Sequence, residues 1–286
     1  MTVKPQETTP AAWKEDLLAS FGNAGICAVA FWAGAIAARE IREKQRTFPL
    51  LMLTGGEGTG KSTLLEFLWR LYGIPDYEGI APLHATPNAL IKALAGDDRK
   101  PAVFVTVDRP TKWTPTSFTW DDLKPCYEGD RIAARGTKYS DAVTEIAASA
   151  GVVFTPDSPA DVSPALAERT CRIDLGRICR DDPAAAAAAA NRLALWPVDD
   201  AREFGRKVAA CAPAIADHVA ANADAWGYGL QRRGIKSDRL AKNYGQLMAL
   251  IEAIGPAVAD VLETGVAGDS AMQFAANLAH QHQREA

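Results

Sequence analysis

The chain has 286 residues, 48% of them hydrophobic, and carries a formal net charge of −4. Those values suit a folded core with a smaller appendage and exclude a protein coated in basic surface, so nucleic-acid contact would require locally concentrated basic residues. The five cysteines (Cys27, Cys126, Cys171, Cys179 and Cys211) lack CxxC spacing and are expected to be buried, reduced thiols in a cytoplasmic protein.

Residues 1–10 are polar, with two prolines, and read as a loose arm. Helices are expected around 11–20 and 24–45. The apolar run 24–38 is shorter than the roughly 20 residues that cross a bilayer, and it continues into charged residues 39–44. Lys14, Glu15 and Asp16 precede it, unlike the start of a signal peptide, so a buried helix and no membrane contact are expected. Residues 48–54 read as a buried strand, and a helix follows from Lys61 to about Leu71 with apolar residues at helical spacing. Thr86-Pro87 is an N-cap followed by proline at the first helical position, and that helix should stop at Gly96. Buried strands are expected at 102–107, 151–154 and 171–175, which together imply a parallel sheet covered on both faces. From about residue 183 the alanine-rich chain reads as helix to its end. His280 and His282 lie in that tail without a Cys or carboxylate cluster and read as part of a frayed polar terminus.

Between the first strand and its helix lies Gly55-Gly56-Glu57-Gly58-Thr59-Gly60-Lys61-Ser62, a full match to G-x-x-x-x-G-K-[ST] in its required strand–loop–helix context. Glycines let the backbone turn its N–H groups toward phosphate oxygens, and the helix N-terminus, through Thr63, adds positive potential. Lys61 would neutralise the β and γ phosphates, and the Ser62 hydroxyl would bind Mg²⁺. The motif predicts binding of a nucleoside triphosphate, ATP with Mg²⁺ foremost.

A Mg²⁺ ion needs an acidic partner on a neighbouring strand. Asp108, at the end of strand 102–107, is the candidate. The position after it, where many such enzymes carry the acid that polarises water, is Arg109. Glu57, Asp121, Asp122 and Asp157 are the possible substitutes, and slow hydrolysis is the expectation.

Beyond the loop, Tyr77-Glu78-Gly79, Ala85-Thr86-Pro87, Val107-Asp108-Arg109, Trp120-Asp121-Asp122-Leu123-Lys124, Arg135-Gly136-Thr137-Lys138 and Ala167-Glu168-Arg169 follow in order. With that set the chain resembles the helicase half of plasmid and phage primase-helicases, close to superfamily 3 in the wider AAA+ class. The resemblance covers roughly residues 25–180, and 228–256 more weakly. It implies a pore-lining hairpin at 129–138, in which Arg131, Arg135 and Lys138 would follow the phosphates of a DNA strand. Residues 99–138 do carry eight Lys or Arg against five Asp or Glu. The resemblance also implies that strand 151–155 is a sensor strand, with Thr155 and, in place of the usual Asn, Asp157. It makes Arg169 an arginine finger for a neighbouring subunit. Arg239 is either a second sensor or solvent-facing; Arg172 and Arg177 receive no role. Trp113, Trp120 and Trp226 are expected to pack rather than stack on bases.

The expectation is therefore an α/β P-loop three-layer sandwich with a central parallel sheet. A helical N-terminal segment (1–45) precedes the core (46–180), and an all-helical subdomain (181–286) follows. The leading function is an ATP-driven helicase or translocase of a mobile-element or phage replication system, acting on single-stranded or forked DNA as a hexameric ring, with priming left to a separate partner. The alternatives are an ATP-gated assembly switch and a P-loop kinase.

Overall fold

The computed structural model describes residues 13–76, 79–96, 100–106, 118–137, 140–178, 182–257 and 265–285, with side chains omitted at 135–144, 255–257 and 265–267. The Cys179, Trp113, Asp108, Arg109 and Lys138 assignments lie outside the described residues.

The chain opens with α1 (Trp13–Ile36) and α2 (Ala38–Gln45). A break does occur near residue 22, where Gly22 adopts φ 52 and ψ −144 and kinks α1. The expected 24–45 helix is also divided, at Ala37. α1 is long and apolar enough to cross a membrane, but 78% of its most apolar window is buried within the fold.

β1 (Leu50–Thr54) leads through the glycine loop into α3 (Lys61–Arg70), and α4 (Pro87–Ala95) is capped by Thr86, whose hydroxyl accepts from the Ala89 amide. β2 (Ala102–Val105) and the short α5 (Pro125–Glu128) precede an antiparallel hairpin of β3 (Arg131–Thr137) and β4 (Ser140–Ala147). β5 (Val152–Thr155), the short α6 (Pro164–Ala167) and β6 (Thr170–Asp174) complete the core. Among the described residues four helices follow: α7 (Pro183–Ala194), α8 (Val198–Arg232), α9 (Asp238–Ala257) and α10 (Gly265–Glu285).

The sheet is parallel, in the order β2-β5-β1-β6. An edge strand outside β2 is reduced to one bridge, Ile80 to Phe104. The order corrects one expectation: β2 is not β1's neighbour, because β5 lies between them. Side chains alternate across the sheet. Leu51, Leu53, Val153, Cys171 and Ile173 join the core formed with α1, α3 and α8–α10. Leu50, Met52, Phe104, Val152 and Phe154 face the opposite way, toward Leu94, Leu123, Tyr127 and Leu166.

Small residues set the closest approaches. A Cβ on Gly245 of α9 would lie 2.5 Å from the Ala223 carbonyl and 2.7 Å from the Gly227 amide of α8, so the two helix backbones meet there. Gly229, two residues along α8, faces open space. Gly245→Ala should therefore destabilise by about 1–3 kcal/mol, because rigid backbone must move. Gly229→Ala should instead stabilise by up to about 1 kcal/mol from helix propensity alone. Denaturant midpoints of the two variants check this, and equal shifts would refute it.

Candidate functional site

Parallel strands bring their C-terminal ends to one edge, where loops converge on a crevice. Across that edge stand Thr106 beyond β2, Thr155 to Asp157 at β5, the loop 55–60 at β1, and Asp174 to Arg177 at β6. Glycine is required at two positions of the loop. Gly55 has φ 144, and a Cβ there would meet Thr59 Oγ1 at 2.7 Å. Gly60, the residue that caps α3, has φ 92, and its Cβ would press on the Phe21 ring at 3.0 Å. The loop therefore rests on α1 beside the Gly22 kink.

Thr59 closes the turn, its hydroxyl donating to the Gly56 carbonyl at 2.9 Å. The Lys61 ammonium folds back and donates to the carbonyls of Gly55 and Gly56, which places its charge inside the loop. The first bond within α3 runs from the Leu64 amide to the Gly60 carbonyl at 2.9 Å. The amides of Lys61, Ser62 and Thr63 thus emerge at the helix end, and Ser62 is exposed. Glu57 and Gly58 are exposed at the loop's tip.

At β5 the Thr155 carbonyl accepts from the Thr106 hydroxyl at 2.8 Å, tying the two strand ends together. Thr155 is buried and Asp157 is exposed. The other two core acids are engaged elsewhere. Asp121 accepts from Lys124 at 2.7 Å and from Ser163 at 2.5 Å, and these bonds, Lys124's first, hold its carboxyl below the usual range. Asp122 caps the 3-10 turn Trp120–Leu123 through the Thr119 amide. Asp121 and Asp122 are thus engaged with groups of their own turn and of the Ser163 cap. Trp120 packs against Phe118 and Phe154.

Arg169 precedes β6, so it lies at the opposite end of the sheet from the loop. Five strand residues at about 3.3 Å each put it roughly 16 Å away. There it donates to the Ala165 carbonyl at 2.6 Å and lies over the Tyr127 ring. Glu168 does not pair with it, but with Arg239, at 3.2 Å. Arg239 is thereby held at the same far end, away from this chain's own loop. The hairpin is longer than the expected 129–138: its strands run 131–137 and 140–147. Arg131 sits at its base, ion-paired to Glu145 at 2.7 Å, which weakens its case as a phosphate ligand. Arg135 lies toward the tip.

A cluster given no role from the sequence lies on the other side of the loop. Arg172 of β6 is buried beside β1 and donates from Nε to Thr54 Oγ1 at 3.4 Å. It also pairs with Asp174 and with Glu285 of α10, and Arg177 pairs with the same two acids at 3.1 Å and 2.9 Å. The register Thr54 to Asp174 is what brings these groups to the loop. Beneath them, the Arg172 amide donates to Tyr244 Oη at 3.0 Å, and Tyr244 Oη lies 3.2 Å from His282 Nδ1. His282 is thus a buried residue and not part of a frayed terminus, because α10 packs on α9 and β6.

No protein-family model matches the chain, and no curated protein matches it. Among solved structures it is similar to the SCCmec type IV Cch active helicase, with a TM-score of 0.62 at 16% identity. The alignment covers 96% of this chain and 52% of that one, so the chain spans about half that protein's length. The likeness is one of fold: the chain has a mixed α/β, helicase-like fold built on a parallel sheet.

Burial, and then the nearby Arg172 charge, push the His282 imidazole down to about 4, outweighing the opposing pull of Glu285. In the unfolded chain its value is about 6.5, so between pH 6.5 and pH 4 the unfolded state binds more protons. Stability should therefore be full above pH 6.5 and fall by about 3 kcal/mol as the pH drops to 4. Denaturant melts across that range should show the fall in the wild type and a flatter profile in His282→Phe. Parallel profiles would count against a buried neutral imidazole.

Proposed function

We propose that this chain is a nucleoside-triphosphate-driven DNA helicase or translocase, with ATP as the nucleotide. The observation that carries the reading is the glycine loop: Gly55 and Gly60 hold backbone conformations a side chain would obstruct, and Lys61 points its charge into the turn. That arrangement stands at the ligand-binding edge of a parallel sheet in a fold similar to that of an active helicase.

In this reading the amides of residues 58–63 cradle the phosphates, and Lys61 neutralises the terminal ones. The exposed Ser62 hydroxyl suits a divalent cation, and with the Asp108 carboxylate, our choice for its acidic partner, it would hold Mg²⁺, which screens phosphate charge when bound. Thr155 and Thr106 fix the neighbouring strand ends. Asp157, which follows the strand beside β1 and makes no ion pair among the described residues, is our choice for the group that orients water. Arg169 cannot serve its own loop, so as an arginine finger it acts on a neighbour's nucleotide in a ring, a hexamer on the family resemblance. Arg135, toward the hairpin tip, and Lys138 contact single-stranded DNA in the pore, with Arg131 secondary. A mobile-element or phage replication system, a separate primase and a cytoplasmic setting complete the proposal.

The test is direct. Lys61→Ala should weaken labelled ATP binding by about 10- to 100-fold, the worth of one or two charge-assisted contacts. Asp157→Asn should spare binding but lower DNA-stimulated hydrolysis by at least about 10²-fold if it orients water. Brisk turnover in Asp157→Asn would remove it from that role. ATP-dependent oligomers with no unwinding of a forked duplex would favour the assembly-switch alternative, which the engagement of Asp121 and Asp122 with neighbouring groups supports.

For the DNA contact, Arg135→Ala with Lys138→Ala should lower the slope of log affinity against log salt by about 1.4, the release expected for two single-strand phosphate contacts. ATP binding should be unaffected. An unchanged slope would overturn the hairpin assignment.

A further inference from the structure

The charged cluster beside the loop is built to a balance. Arg172 and Arg177 face Asp174 and Glu285, two cations against two carboxylates. The four members are not equivalent. The Arg172 side chain is only 9% exposed and is committed to Thr54, Asp174 and Glu285, which makes it the fixed floor of the cluster. The Arg177 side chain is 55% exposed, and among the described residues its guanidinium pairs with the two acids. Asp174 is held twice more, by Arg172 and by the Gly176 amide at 3.0 Å. Glu285 is the partner that arrives from another element, at the end of α10.

Arg177 also stands next to the loop. A Cβ on Gly55 would lie 3.1 Å from the Gly176 amide, so the backbone carrying Arg177 abuts the first glycine. An exposed guanidinium neutralised by a carboxylate is poised for exchange with a stronger anion. A bound triphosphate would attract Arg177 and repel Glu285.

We infer that Arg177 is a nucleotide-contacting arginine in this chain's own site, and that Glu285 competes with the triphosphate for it. The inference rests on the nucleotide-binding reading of the glycine loop. It gives the site a cation supplied by the same chain, distinct from Arg169, and it couples nucleotide occupancy to the end of α10. Coupling is reciprocal: if nucleotide displaces Glu285, removing the Glu285 charge must tighten nucleotide binding.

The experiment measures labelled ATP affinity of the full chain at low and high salt for the wild type, Lys61→Ala, Arg177→Met, Glu285→Gln and the Arg177→Met/Glu285→Gln pair, with melting temperatures to confirm folding. Arg177→Met should weaken binding about tenfold at low salt, and Glu285→Gln should tighten it about three- to tenfold. Both effects should shrink at high salt. The double variant should match Arg177→Met, because Glu285 acts through Arg177. Unchanged affinity in Arg177→Met overturns the contact. Unchanged affinity in Glu285→Gln, or tightening that persists in the double variant, overturns the competition. If wild type and Lys61→Ala bind ATP equally, the loop reading itself fails and this inference goes with it. Should Arg177→Met unfold, Arg177→Lys serves in its place, with partial retention of affinity expected.

Discussion

A helix that is apolar all round must be enclosed all round, and α1 is such a helix. From Ala24 to Ile36 nearly every side chain is buried, Phe31 and Trp32 completely. Enclosing it takes the sheet face, α3 and the four helices α7–α10, which all belong to one continuous hydrophobic cluster. The packing is close at two points along it. A Cβ on Gly34 would collide with Leu250 of α9, and one on Gly151, just before β5, would collide with Ala35. The fold is therefore organised around a segment that precedes the first strand, with residues far apart in the chain meeting on its surface.

That constraint reaches the loop. Phe21 lies on α1 immediately before the Gly22 kink and supports Gly60, the residue that starts α3. On the other side, α10 packs on α1 and α9 and brings its last turn to β6, where Tyr244, His282 and Glu285 meet Arg172. The glycine loop thus sits between two surfaces that depend on the same buried helix. A loop needing several strained glycine conformations is held better by such packing than by its own hydrogen bonds.

Charge is distributed to match. The near edge of the sheet carries the Lys61 ammonium, the Arg172–Arg177 cluster and the exposed Asp157. The far edge carries Arg169 and the Arg239–Glu168 pair. Cations therefore stand at both ends of the sheet. The position of β5 between β1 and β2 also puts the end of β5 between the loop and the end of β2, and the Thr106–Thr155 bond joins those two strand ends.

Local features were legible because their physics is local. The strand–loop–helix context of residues 50–70, the Thr86 cap with its stop at Gly96, the four parallel strands and the helical character after residue 183 follow from period, glycine and proline placement, and alanine content. The break near residue 22 was legible for the same reason. What lay beyond reach depended on register and packing. Strand order was one such case, since nothing in residues 102–107 says that 152–155 will insert beside β1. The true extent of the hairpin was another, as was the burial of His282, which looks like tail sequence until α10 docks. The Arg172–Arg177–Glu285 cluster is the clearest example: Glu285 lies more than a hundred residues from the two arginines, and only the pairing of Thr54 with Asp174 and the docking of α10 make them neighbours of the loop. The sequence by itself determined the glycine loop, because each of its conformations is a property of the residue that adopts it. Tertiary structure alone decided which charges surround that loop, because a charge acts through space and its partners are chosen by packing.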